Sequence, residues 1–124
     1  MTTEKHLRLF EHLYTHTKSG ALAWTESVDK GVFVVSFKSY SVEISQEKDE
    51  NEYEPTVVLR IRDSNGDFIE RITDNEVGAS LADGHRGTFF RNAYATYEMA
   101  RRTALGADKA LDSILAELDE LIPF

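Results

Sequence analysis

Three observations predict an α+β fold. The stretch from Gly31 to Ile72 alternates apolar and polar residues, helix-period segments flank it on both sides, and turn signals cut it into strand-length pieces. The architecture expected is one domain over residues 1–124: an antiparallel meander of four to five strands with an N-terminal helix and two C-terminal helices packed on one face.

The elements follow in order. Thr3 is placed to cap a first helix whose leading turn carries Glu4, and Gly20 to end it after Lys18. Leu7, Phe10, Leu13 and Tyr14 form its apolar stripe. Ala21 to Ser27 reads as a first strand, and Asp29-Lys30-Gly31 as a turn. In the next run Phe33, Val35 and Phe37 are odd-numbered while Tyr40, Val42 and Ile44 are even-numbered. One strand cannot bury a single face across that change, so Lys38-Ser39 is a tight hairpin or a bulge, with the hairpin expected. Glu47 to Glu54 holds five carboxylates and one lysine and reads as a solvated loop closed by Pro55. Val57, Leu59 and Ile61 then oppose Arg60 and Arg62, and Asn65-Gly66 signals a primed hairpin turn into a return strand, Phe68 to Ile72.

Asp74 to Gly87 is long for a connection and is expected to hold a helical turn near Asn75 to Leu81. Thr88 is placed to cap a second helix ending before Gly106. Asp108 is placed to cap a third, whose apolar face is Leu111, Ile114, Leu115, Leu118, Leu121 and Ile122.

Composition narrows the function classes. The chain has 124 residues, 41% hydrophobic and 29% charged, as an ordered globular domain requires. No apolar run approaches the ~20 residues of a membrane span, and the N-terminus shows no signal-peptide core. There is no cysteine, hence no disulfide or thiolate chemistry. Together these predict a soluble cytoplasmic protein. A net charge of −8 argues against nucleic acid, whose phosphates need lysine and arginine, and suits either plain solubility, the simpler explanation, or a basic protein partner.

Several phrases carry a resemblance: Gly20-Ala-Leu-Ala-Trp24 after a short helix, Tyr40-Ser-Val-Glu-Ile44, Leu59-Arg-Ile-Arg-Asp followed by Gly66, and the tail from Tyr97 to Leu115 containing Ala-Arg-Arg-Thr-Ala-Leu-Gly-Ala-Asp. Over most of its length the chain resembles small uncharacterised bacterial α+β proteins. The shared residues are turn and packing residues, so the resemblance implies a bacterial source and a fold. It brings no catalytic or binding residues.

Candidate sites are few. His12 and His16 lie one helical turn apart and could offer two imidazoles to a metal, but a general-base glutamate is absent at the next position, Leu13. Asp83-Gly-His-Arg-Gly-Thr88 brings His85 and Arg86 to the expected start of a helix, with Arg91 one turn on, a place where unpaired N–H groups favour an anion. Phe90, Tyr94, Tyr97 and Arg101 share one helical stripe and could extend that site as orienting hydroxyls and a second cation. Asp63, Asn65 and Asp67 fall short of a calcium loop, because Gly66 stands at the fourth position and not the sixth. No nucleophile, carboxylate pair or phosphate loop has the spacing of a known catalytic arrangement, and no cofactor is expected.

The sequence therefore predicts a protein that binds, not an enzyme: an interaction or regulatory module of inhibitor or immunity type facing a basic protein. Self-association through Val32, Val34, Val58 and Ile69 or through the last helix is a further expectation. The alternative is a small-molecule or anion-binding domain, or minor enzyme, on His85, Arg86, Arg91, Tyr94, Tyr97 and Arg101.

Overall fold

The change of hydrophobic phase at Lys38-Ser39 is a hairpin. Strand β2 (Phe33–Ser36) turns into β3 (Tyr40–Glu47) with Phe37 N–H donating to Tyr40 O at 2.8 Å, so that Phe33 pairs with Ile44 and Val35 with Val42 on one buried face. The structure, a computed structural model, describes residues 2–48 and 55–121, with side chains from residue 4 onward. The solvated loop expected up to Glu54 lies mostly outside the described residues, as does Ile122.

The remaining strands complete an antiparallel meander in the order β1-β2-β3-β4-β5, with β1 (Thr25–Glu26), β4 (Thr56–Asp63) and β5 (Phe68–Thr73). Strand β1 is shorter than Ala21 to Ser27. The first helix, α1 (Thr2–Lys18), ends in a Schellman closure: Ala21 N–H donates to His16 O at 2.9 Å, Gly20 N–H to Thr17 O at 3.1 Å, and Gly20 takes φ 81°. Residues 21–24 are used in that stop and in delivering Trp24 to the core, where its indole N–H donates to Thr17 Oγ1 at 3.0 Å. Thr3 lies inside α1 and not before it.

The second hairpin also differs from its prediction. Among the described residues positive φ occurs only at glycines, so Asn65 does not adopt a primed turn. Asp63 Oδ1 accepts from the N–H groups of Asn65 at 3.0 Å and Asp67 at 2.9 Å. These bonds hold a right-handed turn, closed by Gly66 N–H donating to Asp63 O at 3.0 Å, and within it Gly66, φ 83°, alone takes the left-handed conformation. An irregularity follows, with Ile61 opposite Glu70 and Arg62 opposite Phe68, which leaves Ile69 unpaired and half exposed.

The expected helical turn after β5 is α2 (Asp74–Ala79), capped by Thr73, whose Oγ1 accepts from Glu76 N–H at 3.2 Å. Helix α3 (Asp83–Leu105) starts five residues before Thr88, with Ala82 at its N-cap. Arg86 explains the early start: it pairs with Asp83 at 3.0 Å and donates to Leu81 O at 2.9 Å, which ties the new helix to the chain leaving α2. Gly106, φ 67°, ends α3, and α4 (Ala107–Leu121) follows at once.

The core lies between one sheet face and helices α1 and α3. Phe10 meets Phe89 edge to face at 5.3 Å, Phe33 meets Tyr97 at 5.6 Å, and Leu13, Leu59, Ile72 and Ala100 fill the space between. The other sheet face is polar. Arg60 and Arg71 both bond Glu47, Arg62 bonds Glu43 at 2.8 Å, and Val58, between Ser45 and Thr73, is fully buried. Helices α1 and α3 thus lid the sheet as expected, whereas α4 contributes no buried residue and meets the molecule chiefly at α3.

Candidate functional site

Helix α4 forms because Ala107 to Leu121 contains only residues compatible with helix and follows a left-handed glycine stop that restarts the chain in a new direction. Leu111, Ile114, Leu115, Leu118 and Leu121 recur at spacings of three and four and share one face. In α1 the same spacing buries Phe10 and Leu13 to 3% exposure; in α4 the five residues are 48–77% exposed. Together they present on the order of 500 Å² of apolar surface, within the ~300–600 Å² of the largest patch on a typical monomer, a patch that is often functional.

Acidic residues border this face. At 3.6 residues per turn, Asp108, Asp112 and Asp119 fall along one side and Glu117 along the other, while Lys109 points away from it. Arg102 Nη2 reaches Asp108 at 2.8 Å; Asp112, Glu117 and Asp119 have no ion pair among the described residues. Asp119 and Glu120 also sit in the last turn, where the helix dipole disfavours negative charge, so they do not serve the helix's own stability.

A second feature is a cavity of about 390 Å³ between α1 and the start of α3. Leu7, Phe10, Leu81, Phe89 and Ala93 line its apolar part, and Glu11, His85, Thr88 and Asn92 its polar part.

Of the six residues predicted to share a ligand site, only His85 lines this cavity. Arg86 is engaged by Asp83 and the backbone carbonyls of Leu81 and Ala79, and Arg91 donates to Thr88 Oγ1 at 3.3 Å. Tyr97 is buried on the sheet side, where its hydroxyl donates to Gly31 O at 3.1 Å; burial pushes the pKa of that hydroxyl up. Tyr94 is 46% exposed and Arg101 is exposed. Because α3 begins at Asp83, its first turn carries a carboxylate where an anion would bind, which weakens the anion site expected there.

His12 and His16 are exposed, with rings stacked 6.0 Å apart. Among the described residues no group of three histidine or carboxylate side chains could hold a metal. His6, not singled out in the sequence, bonds Glu70 Oε1 at 3.0 Å and links α1 to β5. Glu11 and Asn92 line the cavity without any local signal for it in the sequence. The face of α4, expected both to pack on the sheet and to offer a surface for self-association, is bare because its periodicity is that of a core helix while its position is not. Among the described residues no helix is long and apolar enough to cross a membrane. No protein-family model, curated protein or solved structure matches the chain.

Proposed function

We propose that this protein is a protein–protein interaction module that acts by binding and not by catalysis, with α4 as its docking element. The observation that carries the reading is the exposure of five large apolar side chains on a helix with no buried residue. Surface of that extent stabilises nothing in the free chain and gains about 25 cal/mol per Å² once covered. The four apolar positions at i, i+3, i+4 and i+7 match the anchors by which amphipathic helices enter grooves. The overall charge of −8 supports a small cytoplasmic regulator, of inhibitor or immunity type, that masks a basic target.

The test compares the whole protein with its Leu111→Glu/Leu118→Glu variant as bait in a lysate of the source organism, after circular dichroism shows that both are equally folded. A partner retained by the first and lost from the second is expected. Identical retention by both, or none by either, overturns the reading.

A second reading is a small-molecule site in the α1/α3 cavity, favoured by the presence of His85, Glu11 and Asn92 around an apolar floor. With one carboxylate and one imidazole on its rim, the cavity suits a neutral or cationic amphipathic molecule over an anion. A thermal-shift screen of such compounds, repeated on Ala93→Phe to fill the cavity, tests it; no compound whose shift disappears in that variant removes it.

A further inference from the structure

We infer that the surface covering α4 is an apolar groove rimmed by lysine or arginine on another protein, and not a second copy of this chain. The inference rests on the reading of α4 as a docking element and adds the chemistry of what docks.

Charge argues for it first. Helix α4 carries five carboxylates and one lysine, and the lysine lies on the far side from the apolar face. Asp112, Asp119 and Glu117 border that face without ion pairs among the described residues. When the face is covered, these carboxylates enter the rim of an interface, where an unlike charge steers and fixes the partner and a like charge repels it.

The same geometry disfavours a second copy. An antiparallel pair of α4 helices sets Asp108 near Asp119 of the second copy, and a parallel pair, in which opposite flanks meet, sets the Asp112 and Asp119 side of one copy against the Glu117 side of the other. Each arrangement apposes carboxylates beside a dry seam. A groove that wraps both flanks covers the acidic rims together with the apolar face; a second convex helix covers the face alone. The outer sheet face does not supplement it, since Glu43, Glu47, Arg60, Arg62 and Arg71 already pair with one another there. A membrane surface is a poor fit too, because interfacial helices carry lysine and arginine on their polar face.

The experiment uses the whole protein and two designed helical hairpins whose shared groove is lined by leucine. One hairpin has lysines along the rim and the other has glutamates. Fluorescence anisotropy is expected to show the lysine hairpin binding at least about tenfold tighter, with the advantage shrinking as salt is raised. Neutralising the flanks (Asp112→Asn, Glu117→Gln, Asp119→Asn) should remove the advantage, and Leu111→Ser/Leu118→Ser should remove binding of both. Equal affinities for the two hairpins overturn the basic rim while leaving α4 as a docking element. Light scattering that finds a dimer broken by Leu111→Ser/Leu118→Ser assigns the face to a second copy, which again overturns the inference alone. Lysine-hairpin binding that survives the serine variant overturns it as mere charge attraction. Binding of neither hairpin to a protein whose helices are intact overturns inference and reading together.

Discussion

Leu13→Ala and Leu118→Ala remove the same atoms from two helices of similar pattern, and the structure separates their consequences. Leu13 is 3% exposed beneath α3, and truncating such a residue costs about 2–5 kcal/mol through lost burial and the cavity left behind. Leu118 is 48% exposed on a helix with no buried residue. Truncation there opens no cavity, and alanine's slightly better helix propensity offsets part of the loss, so the cost stays below about 0.5 kcal/mol. For a chain of 124 residues, about 2.1 cal/mol/K of unfolding entropy per residue makes 1 kcal/mol worth about 4 °C in Tm. Thermal melts followed by circular dichroism should therefore fall by roughly 8–20 °C for Leu13→Ala and by less than about 2 °C for Leu118→Ala. Urea midpoints provide the second measure. A fall for Leu118→Ala as large as that for Leu13→Ala would refute the placement of α4 outside the core.

Two further predictions concern packing and charge. A Cβ on Gly78 would lie 2.2 Å from Phe90 Cζ, so Gly78→Ala should cost about 1–3 kcal/mol by overpacking in spite of its helix-propensity gain. In a Phe90→Ala background the sign should invert, because only the propensity gain remains; urea denaturation of the double-mutant cycle checks this, and a loss in both backgrounds would contradict it. The Arg71 guanidinium, then that of Arg60, holds the Glu47 carboxyl below its ordinary pKa, against the upward push of partial burial. Because the folded value lies below the unfolded one, the stabilisation is complete above the ordinary glutamate range and is lost as pH falls through the folded value. Glu47 is nearly half exposed, so the effect on stability is small and the direct readout is an NMR titration of its carboxyl carbon. Arg71→Ala should raise that midpoint; an unmoved midpoint would show that the pair does not form in solution.

How far the sequence disclosed this molecule depends on whether a signal was local. The switch from Phe37 to Tyr40 located a break in the strand, because a continuous pleat cannot keep one face buried across it; of the hairpin and the bulge that resolve such a switch, the structure has the hairpin. At Asn65-Gly66 the hairpin was legible but its type was not: Asp63, two residues upstream of Asn65, takes the turn's N–H groups with its carboxylate. Thr88 was a sound cap by residue type. The helix starts at Asp83 because Arg86 reaches backward to carbonyls at the end of α2, and only the fold brings those within range. The candidate site at His85, Arg86, Arg91, Tyr94, Tyr97 and Arg101 dissolved for a related reason. His85 and Arg86, expected on a loop free to turn toward the helical residues, take fixed and divergent directions once that loop is the first turn of the helix.

The exposed face of α4 presents the harder case, since no local pattern distinguishes it from the stripe of α1. A count of surface does. Five strands spaced about 4.8 Å apart span about 19 Å between the outer strand axes. Helices pack about 10 Å apart, so such a sheet has room for two on one face. Helix α1 leads into the sheet and carries Phe10, Leu13 and the Thr17 partner of Trp24; α3 supplies Phe89, Ala93, Tyr97 and Ala100. With both places taken and the opposite face carrying paired arginines and glutamates, the third long amphipathic helix has no covering surface among the described residues. Periodicity states that a face is to be buried, and the width of the sheet explains why α4, the third long helix in line, lies outside the two-helix layer.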